Sequence, residues 1–137
     1  MGINSVYYCT VNSGGINGES FTTYITELVS YIQADSTEPA YVFIDNAPIH
    51  KVSAVQSIFE ANPSTNLIFI PAYSPQLNPI EHLFAEWKAK VRHSVPTNES
   101  KLSNSIHAAA SNISAQNCQN YYSKMESNIL RLIAVRS

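Results

Sequence analysis

The sequence has few of the features that would indicate a secreted, membrane-spanning or zinc-binding protein. Its only cysteines, Cys9 and Cys118, lie far apart and outside any Cys-x-x-Cys pattern, so we expect reduced thiols and no zinc site. No apolar run reaches the roughly 18 residues of a membrane span, and the first residues lack the basic and apolar regions of a secretory signal. We therefore expect an intracellular protein, nuclear or cytoplasmic, without a membrane partner.

Charged residues are also scarce and are unevenly distributed. They make up 13% of the sequence, and residues 1 to 50 contain five acids but no Lys or Arg. The net charge of −2 argues against strong non-specific affinity of the whole chain for nucleic acid. Half of the eight basic residues nevertheless follow closely on Glu81, at Lys88, Lys90, Arg92 and Lys101. Such a patch suits a phosphodiester substrate, although a solvated helix face is the commoner explanation.

Short apolar runs alternate with helical patterns, which predicts an α/β fold. The length of 137 residues fits a single domain, spanning residues 1–137. We predict strands at 5–11, 41–44 and 67–70, and helices over 19–33, 52–61, 78–93, 101–113 and 117–135. The second and third strands are almost wholly apolar, as is typical of parallel strands buried on both faces. A helical crossover between them would place ligands at the carboxyl ends of the strands.

Two carboxylates stand where such a ligand site is expected. Asp45 directly follows the second strand, and Glu81 lies in the first turn of a later helix, with 35 residues between them. Converging carboxylates are what divalent-metal phosphoryl chemistry requires. The only other Asp, Asp35, lies in a polar stretch, so a third carboxylate is not obvious. Taken singly, each acid also has a simpler explanation: Asp45 as a turn residue, and Glu81 in a capping box with Asn78 at the N-cap and Pro79 at the first helical position.

Further polar residues lie near these two acids in sequence. His50 can hydrogen-bond near the site or donate to a phosphate, and a helix-start histidine without catalytic duty explains it equally well. Lys88 and Arg92 continue along the helix stripe that begins at the first-turn acid, and such a stripe can track a phosphate backbone. Glu86 faces elsewhere and pairs with Lys90 at i,i+4 spacing, so we interpret it as structural.

Three strings carry a resemblance to a known family: Asp45-Asn-Ala-Pro-Ile-His50, Ile70-Pro-Ala-Tyr-Ser-Pro-Gln-Leu-Asn-Pro-Ile-Glu81, and the helix residues Phe84, Trp87 and Lys88. Together they resemble the C-terminal half of the catalytic domain of mariner-superfamily DDE transposases, and residues 5–95 share the likeness. The resemblance implies an RNase H-like (integrase-like) fold. It also implies Asp45 and Glu81 as the second and third acids of a triad that binds Mg²⁺ or Mn²⁺, with the DNA of transposon ends as substrate.

The sequence departs from that family at its front, where the first catalytic Asp would lie on the first strand. We therefore expect an N-terminally truncated core that lacks the first two strands, carries C-terminal helices over 99–135 and leaves strand 5–11 without a natural neighbour. Such a fragment would be inactive alone. An upstream in-frame strand ending in Asp would restore an enzyme.

Other functions compete with this interpretation. The chain can instead be a non-catalytic DNA-binding or interaction remnant of a transposon, which pairs with a full-length transposase or with itself. A third possibility is an unrelated α/β phosphohydrolase, and the Ser-Pro-Gln-Leu-Asn-Pro-Ile-Glu81 string counts against it.

Overall fold

The computed structural model describes residues 1–136, which form five α-helices, two short 3-10 helices and a two-stranded sheet. The elements in chain order are α1 (Gly18–Asp35), β1 (Ala40–Ile44), a 3-10 helix (Pro48–Lys51), α2 (Ser53–Glu60), β2 (Thr65–Phe69), a second 3-10 helix (Pro75–Leu77), α3 (Ile80–His93), α4 (Glu99–Ser111) and α5 (Ala115–Arg136). They fall into two units. One consists of residues 12–74, and the other combines residues 1–11 with the described residues from 75 onward.

The sheet of the first unit joins β1 and β2 in parallel. The register runs from Ala40 opposite Thr65 to Ile44 opposite Phe69, and the Ile70 amide donates to the Ile44 carbonyl at 2.8 Å just beyond it. Parallel strands need a crossover connection, and the 3-10 helix Pro48–Lys51 with α2 provides it. The predicted parallel neighbours are therefore confirmed.

Helices α1 and α2 cover one face of this sheet. Helix α1 begins with a capping box, in which the Asn17 side chain accepts from the Ser20 amide and the Ser20 hydroxyl accepts from the Asn17 amide. The helix buries Ile25 and Val29 against Val55 of α2, and the core also includes Phe59 with the strand residues Val42 and Leu67. Burying this apolar stripe, rather than helix propensity, provides most of the stability of such helices.

The prediction that both strands are buried on both faces is wrong. Along β1 half-buried residues alternate with exposed ones, and Tyr41 and Phe43 are 61% and 56% exposed. On β2 the residue opposite Phe43, Ile68, is 38% exposed. Successive side chains of a strand point to opposite faces, and the core of α1 and α2 covers one of the two. A wholly apolar run therefore did not distinguish a strand covered on one face from a strand covered on both.

The predicted strand at 5–11 is also wrong, because these residues adopt no strand structure. A strand needs a ladder partner, and within residues 1–136 the ladder is formed by β1 and β2 alone. The segment belongs instead to the unit that contains α3, α4 and α5. There Val6 and Met1 pack against the buried Leu83 and Cys118, and the Tyr122 hydroxyl donates to the Met1 carbonyl at 3.0 Å.

Helices α3, α4 and α5 build the second unit around a small core. Leu83, Ile113 and Cys118 are buried there, and the indole nitrogen of Trp87 on α3 donates to the Ile106 carbonyl of α4 at 2.9 Å. Cys118 is a free thiol, as expected, and burial raises its pKa. Even α5, with 22 residues, fails as a membrane span, and no other helix within residues 1–136 has the length and apolarity for one.

Candidate active site

Asp45 lies at the carboxyl end of β1, where the sequence placed it. Its side chain is 57% exposed, and its Oδ1 lies 2.5 Å from Nδ1 of His50. The same ring nitrogen lies 3.2 Å from the backbone carbonyl oxygen of Asp45. His50 is therefore in contact with Asp45, and the roles considered for it at the site stay predictions.

The local sequence explains why His50 meets Asp45. Pro48 opens the 3-10 helix Pro48–Lys51, in which the His50 amide donates to the Ala47 carbonyl at 3.0 Å. This tight turn folds the chain back on the end of β1, so that the fifth residue after Asp45 faces it. From the other side, Phe21 of α1 stacks on the imidazole with ring centroids 4.4 Å apart and planes 25° apart.

Glu81 lies in the first turn of α3 and is exposed, but the expected capping box is wrong. The N-cap is Pro79, which has helical dihedral angles and no side-chain cap hydrogen bond. Asn78 instead accepts hydrogen bonds from two backbone amides. Its side-chain oxygen accepts from the Ile80 amide at 3.3 Å, and its carbonyl accepts from the Glu81 amide at 3.2 Å. Because the helix starts one residue later than expected, Glu81 is not at the third helical position. A capping duty therefore does not account for this carboxylate.

The two acids belong to different units, Asp45 to residues 12–74 and Glu81 to the unit of α3. Their sharing of an ion stays a prediction. Within residues 1–136 no group of three or more His, Cys, Asp and Glu side chains is gathered as a metal site. The donor chemistry of the pair nevertheless suits Mg²⁺ or Mn²⁺, because both ions prefer carboxylate oxygens.

Lys88 and Arg92 line a common groove between α3 and α4. The groove has a volume of about 360 Å³, and its other walls are apolar: Phe84, Trp87, Val91, Leu102 and Ile106. Helical spacing predicted the two cations on one stripe, and both do line this groove. The apolar wall from α4 was not predicted, because contacts between helices leave no local signal in a sequence.

Glu86 has the structural role expected of it. Its carboxylate is 18% exposed and lies 3.3 Å from the Lys90 ammonium. It also accepts hydrogen bonds from the Tyr121 hydroxyl at 2.5 Å and from Asn117 Nδ2 at 3.0 Å. Partial burial alone would raise the pKa of Glu86, but the hydrogen bonds from Tyr121, Asn117 and Lys90 outweigh it and lower the pKa. Desolvation first, and then the bond to Glu86, raise the pKa of Tyr121 to about 12.

Tyr73, within the second of the three strings, has a backbone conformation that the sequence did not predict. It lies in the loop after β2, with a φ of 57° and a fully exposed side chain. Left-handed backbone is uncommon for any residue but glycine, asparagine and aspartate. No periodic pattern announces such a conformation, although Pro71 and Pro75 mark the segment as a tight loop.

Comparison with known proteins identifies a family and a similar fold. The family model described as DDE superfamily endonuclease matches residues 4–103. A solved structure of the Mos1 transposase catalytic domain with raltegravir and Mg is similar, with a TM-score of 0.70 and 18% sequence identity. That match covers 90% of this chain but 65% of the Mos1 chain, so the present chain spans less than two thirds of that domain. No curated protein sequence matches.

The structural likeness establishes an α/β fold similar to the RNase H-like catalytic domain of Mos1 transposase. The family match establishes more, because it spans well over half of the 137 residues and includes Asp45, His50 and Glu81. The chain belongs to the DDE superfamily endonucleases.

Proposed function

We propose that the chain is part of a mariner-type DDE transposase, which cleaves and transfers phosphodiester bonds of transposon-end DNA with Mg²⁺ or Mn²⁺. The observation that carries the proposal is the family match over residues 4–103, within which Asp45 directly follows a strand and Glu81 lies in the first turn of a helix. These are the positions that the resemblance assigns to the second and third acids. We also propose that the protein acts inside the cell, in the nucleus or the cytoplasm.

The roles of the side chains follow from their chemistry. Asp45 and Glu81 would hold the metal through carboxylate oxygens. Divalent ions, when bound, polarise the phosphodiester and favour deprotonation of the attacking hydroxyl. Lys88 and Arg92, which line one groove, would neutralise phosphates of the DNA backbone.

A third acid is needed for the triad that the resemblance implies. Asp35 is the last residue of α1, not the last residue of a strand, and so is poorly placed for this role. We propose that the 137 residues alone bind metal weakly and do not cut DNA, because two ligands do not fix the in-line geometry. Cleavage would then require a third acid from a different chain, for example a full-length transposase.

A non-catalytic DNA-binding or interaction remnant is the second candidate function. It is favoured by the groove between α3 and α4, whose cations Lys88 and Arg92 can contact phosphates whether or not the acids bind metal. The two candidates differ in whether Asp45 and Glu81 have a role at all.

Metal binding is the first test. Mn²⁺ titration calorimetry on the wild-type chain should show binding that Asp45→Asn and Glu81→Gln each weaken by about tenfold or more. Asp35→Asn is the matched control, since it removes the same charge at the end of a helix, and it should leave the affinity unchanged. Unchanged affinity in Asp45→Asn would contradict the metal site and favour the remnant.

DNA cleavage is the second test. Supercoiled plasmid incubated with the purified chain and Mn²⁺ should stay intact. Nicking by the wild-type chain that disappears in Glu81→Gln would show a competent nuclease and would refute the proposed inactivity.

Lys88→Ala combined with Arg92→Ala should weaken DNA binding in a gel-shift assay and reduce its salt dependence.

A further inference from the structure

We infer that His50 is a positioning residue, which fixes the carboxylate of Asp45 for cation binding and does not itself bind a phosphate. The inference rests on the proposed function, because it assigns His50 a task in the metal site proposed above. It also replaces the alternative considered above, in which His50 donates to a phosphate of the DNA.

The inference rests mainly on the position of one ring nitrogen of His50, which lies close to two oxygens of Asp45. Nδ1 lies 2.5 Å from the carboxylate Oδ1 of Asp45 and 3.2 Å from its backbone carbonyl oxygen. A ring N–H placed between these two acceptors ties the side chain to its own backbone and so restricts rotation of the carboxylate. Both oxygens accept, so Nδ1 must carry a proton, and in the neutral ring Nε2 is then the unprotonated nitrogen.

Asp45 benefits from such a partner because its position in the chain constrains the carboxylate little. Its side chain is 57% exposed and follows the last residue of β1, where an aspartate can adopt several rotamers. His50 is held more firmly. It is 20% exposed, its amide is bonded within the 3-10 helix, and its ring stacks on Phe21 at 4.4 Å. Helix α1 therefore holds the imidazole in place through Phe21, and the imidazole in turn holds the carboxylate of Asp45.

This arrangement matches the way proteins orient metal ligands in general. A carboxylate that binds a metal is usually hydrogen-bonded by a second side chain, and loss of that partner typically lowers metal affinity by about 10 to 100-fold. A phosphate donor would be expected to present its N–H to solvent. The Nδ1 proton of His50 is instead directed at Asp45.

Two substitutions separate the hydrogen bond from the ring. His50→Asn keeps an N–H donor close to the position of Nδ1, whereas His50→Gln moves the donor to about the position of Nε2. We expect His50→Gln to weaken Mn²⁺ binding by about 10 to 100-fold and His50→Asn to recover most of that loss, in titration calorimetry on the full chain. Circular dichroism should show that both variants remain folded.

A second measurement does not depend on metal. Nitrogen NMR on the histidine-labelled, metal-free chain should report the Nδ1-protonated tautomer for His50. Asp45→Ala should shift that signal toward the mixture of tautomers found in an unconstrained histidine. A neutral ring protonated at Nε2 alone in the wild-type chain would overturn the inference.

The outcomes also distinguish this inference from the proposed function. If Asp45→Asn weakens Mn²⁺ binding and His50→Gln does not, the metal site stands and the positioning role is refuted. Equal losses in His50→Asn and His50→Gln would also refute it, because ring packing would then be the cause. Weaker DNA binding in His50→Gln with intact Mn²⁺ affinity would identify a phosphate contact instead. If Asp45→Asn leaves Mn²⁺ binding unchanged, the proposed metal site and the positioning role both fail.

Discussion

Replacing Tyr121 by Phe tests the polar contact that joins α5 to α3. The Tyr121 hydroxyl donates to the Glu86 carboxylate at 2.5 Å, and Asn117 and Lys90 complete the shell of that carboxylate. The substitution removes one hydroxyl and keeps the ring, so the packing of Tyr121 beside Leu83 and Cys118 should survive. What is lost is one hydrogen bond to a partly buried charge.

The expected magnitude follows from the charge of the acceptor. A hydrogen bond to a charged group contributes about 1.5 to 3 kcal/mol, against about 0.5 to 1.5 kcal/mol for a neutral pair. Tyr122→Phe is the matched control, because the Tyr122 hydroxyl donates to the neutral carbonyl of Met1 at 3.0 Å. We expect Tyr121→Phe to cost about 2 kcal/mol and Tyr122→Phe about 1 kcal/mol of unfolding free energy in urea at neutral pH.

The difference in unfolding free energy between wild type and Tyr121→Phe should also depend on pH. The pKa of Glu86 is lowered in the folded chain, so its contribution to stability is present above the unfolded pKa and is lost as the pH falls through the folded pKa. The gap between wild type and Tyr121→Phe should therefore be widest near neutrality and should narrow below about pH 4.

At alkaline pH the change in stability comes from the ionisation of Tyr121 itself. Its pKa is raised from 10.0 to about 12, so the stabilisation is complete below pH 10 and is lost as the pH rises toward 12. The absorbance of tyrosinate should lose one late-titrating group in Tyr121→Phe, whereas Tyr122, whose pKa burial also raises, should still titrate late. Equal costs for the two Tyr→Phe variants, or a gap that does not change with pH, would refute this account of Glu86.

Two further substitutions should stabilise the chain. Val95 has a φ of 47° and is 73% exposed, directly after the C-cap Ser94 of α3, where glycine is preferred. Val95→Gly should therefore raise the unfolding free energy by about 1 kcal/mol, and a similar gain in Val95→Ala would show that backbone strain is not the cause. Thr65 is 2% exposed and, among the described residues, its hydroxyl has no hydrogen-bond partner. Thr65→Val should raise the melting temperature by removing a desolvated hydroxyl, worth about 1 to 2 kcal/mol, and a lower melting temperature would contradict this.

Local periodicity was sufficient to predict most of the secondary structure. Every predicted helix occurs with ends within two residues of those expected, and the strands at 40–44 and 65–69 pair in parallel. These elements are specified by apolar residues at helical spacing or in short runs. Such patterns are local, so they can be recognised from residues that are close together in the sequence. The capping box at Asn17 and Ser20, by contrast, depends on side-chain geometry that composition alone does not reveal.

The wrong predictions concern which segments pair or pack with one another in the fold. A single sequence does not show this. Residues 5–11 have strand-forming side chains, but strand structure requires a neighbouring backbone, and this segment packs with the C-terminal helices instead. The exposed faces of Tyr41 and Phe43 have the same origin, since an apolar strand does not encode which of its faces a helix covers. The contact of Glu86 with Tyr121 spans 35 residues and left no local signal either.

The two acids of the candidate site show how far motif reasoning extends. Glu81 stands on the first turn of a 14-residue helix, whose backbone fixes the start of its side chain. Asp45 leaves a five-residue strand and enters a turn, so its backbone gives less control of the carboxylate. The motif identified both residues but treated them as equivalent. The structure distinguishes them, because the residue that directs Asp45 is His50, and the ring packed against His50 is Phe21, 24 residues before Asp45 on α1. Precision at Asp45 therefore depends on tertiary packing, and a substitution on α1 such as Phe21→Leu should loosen Asp45 without touching it.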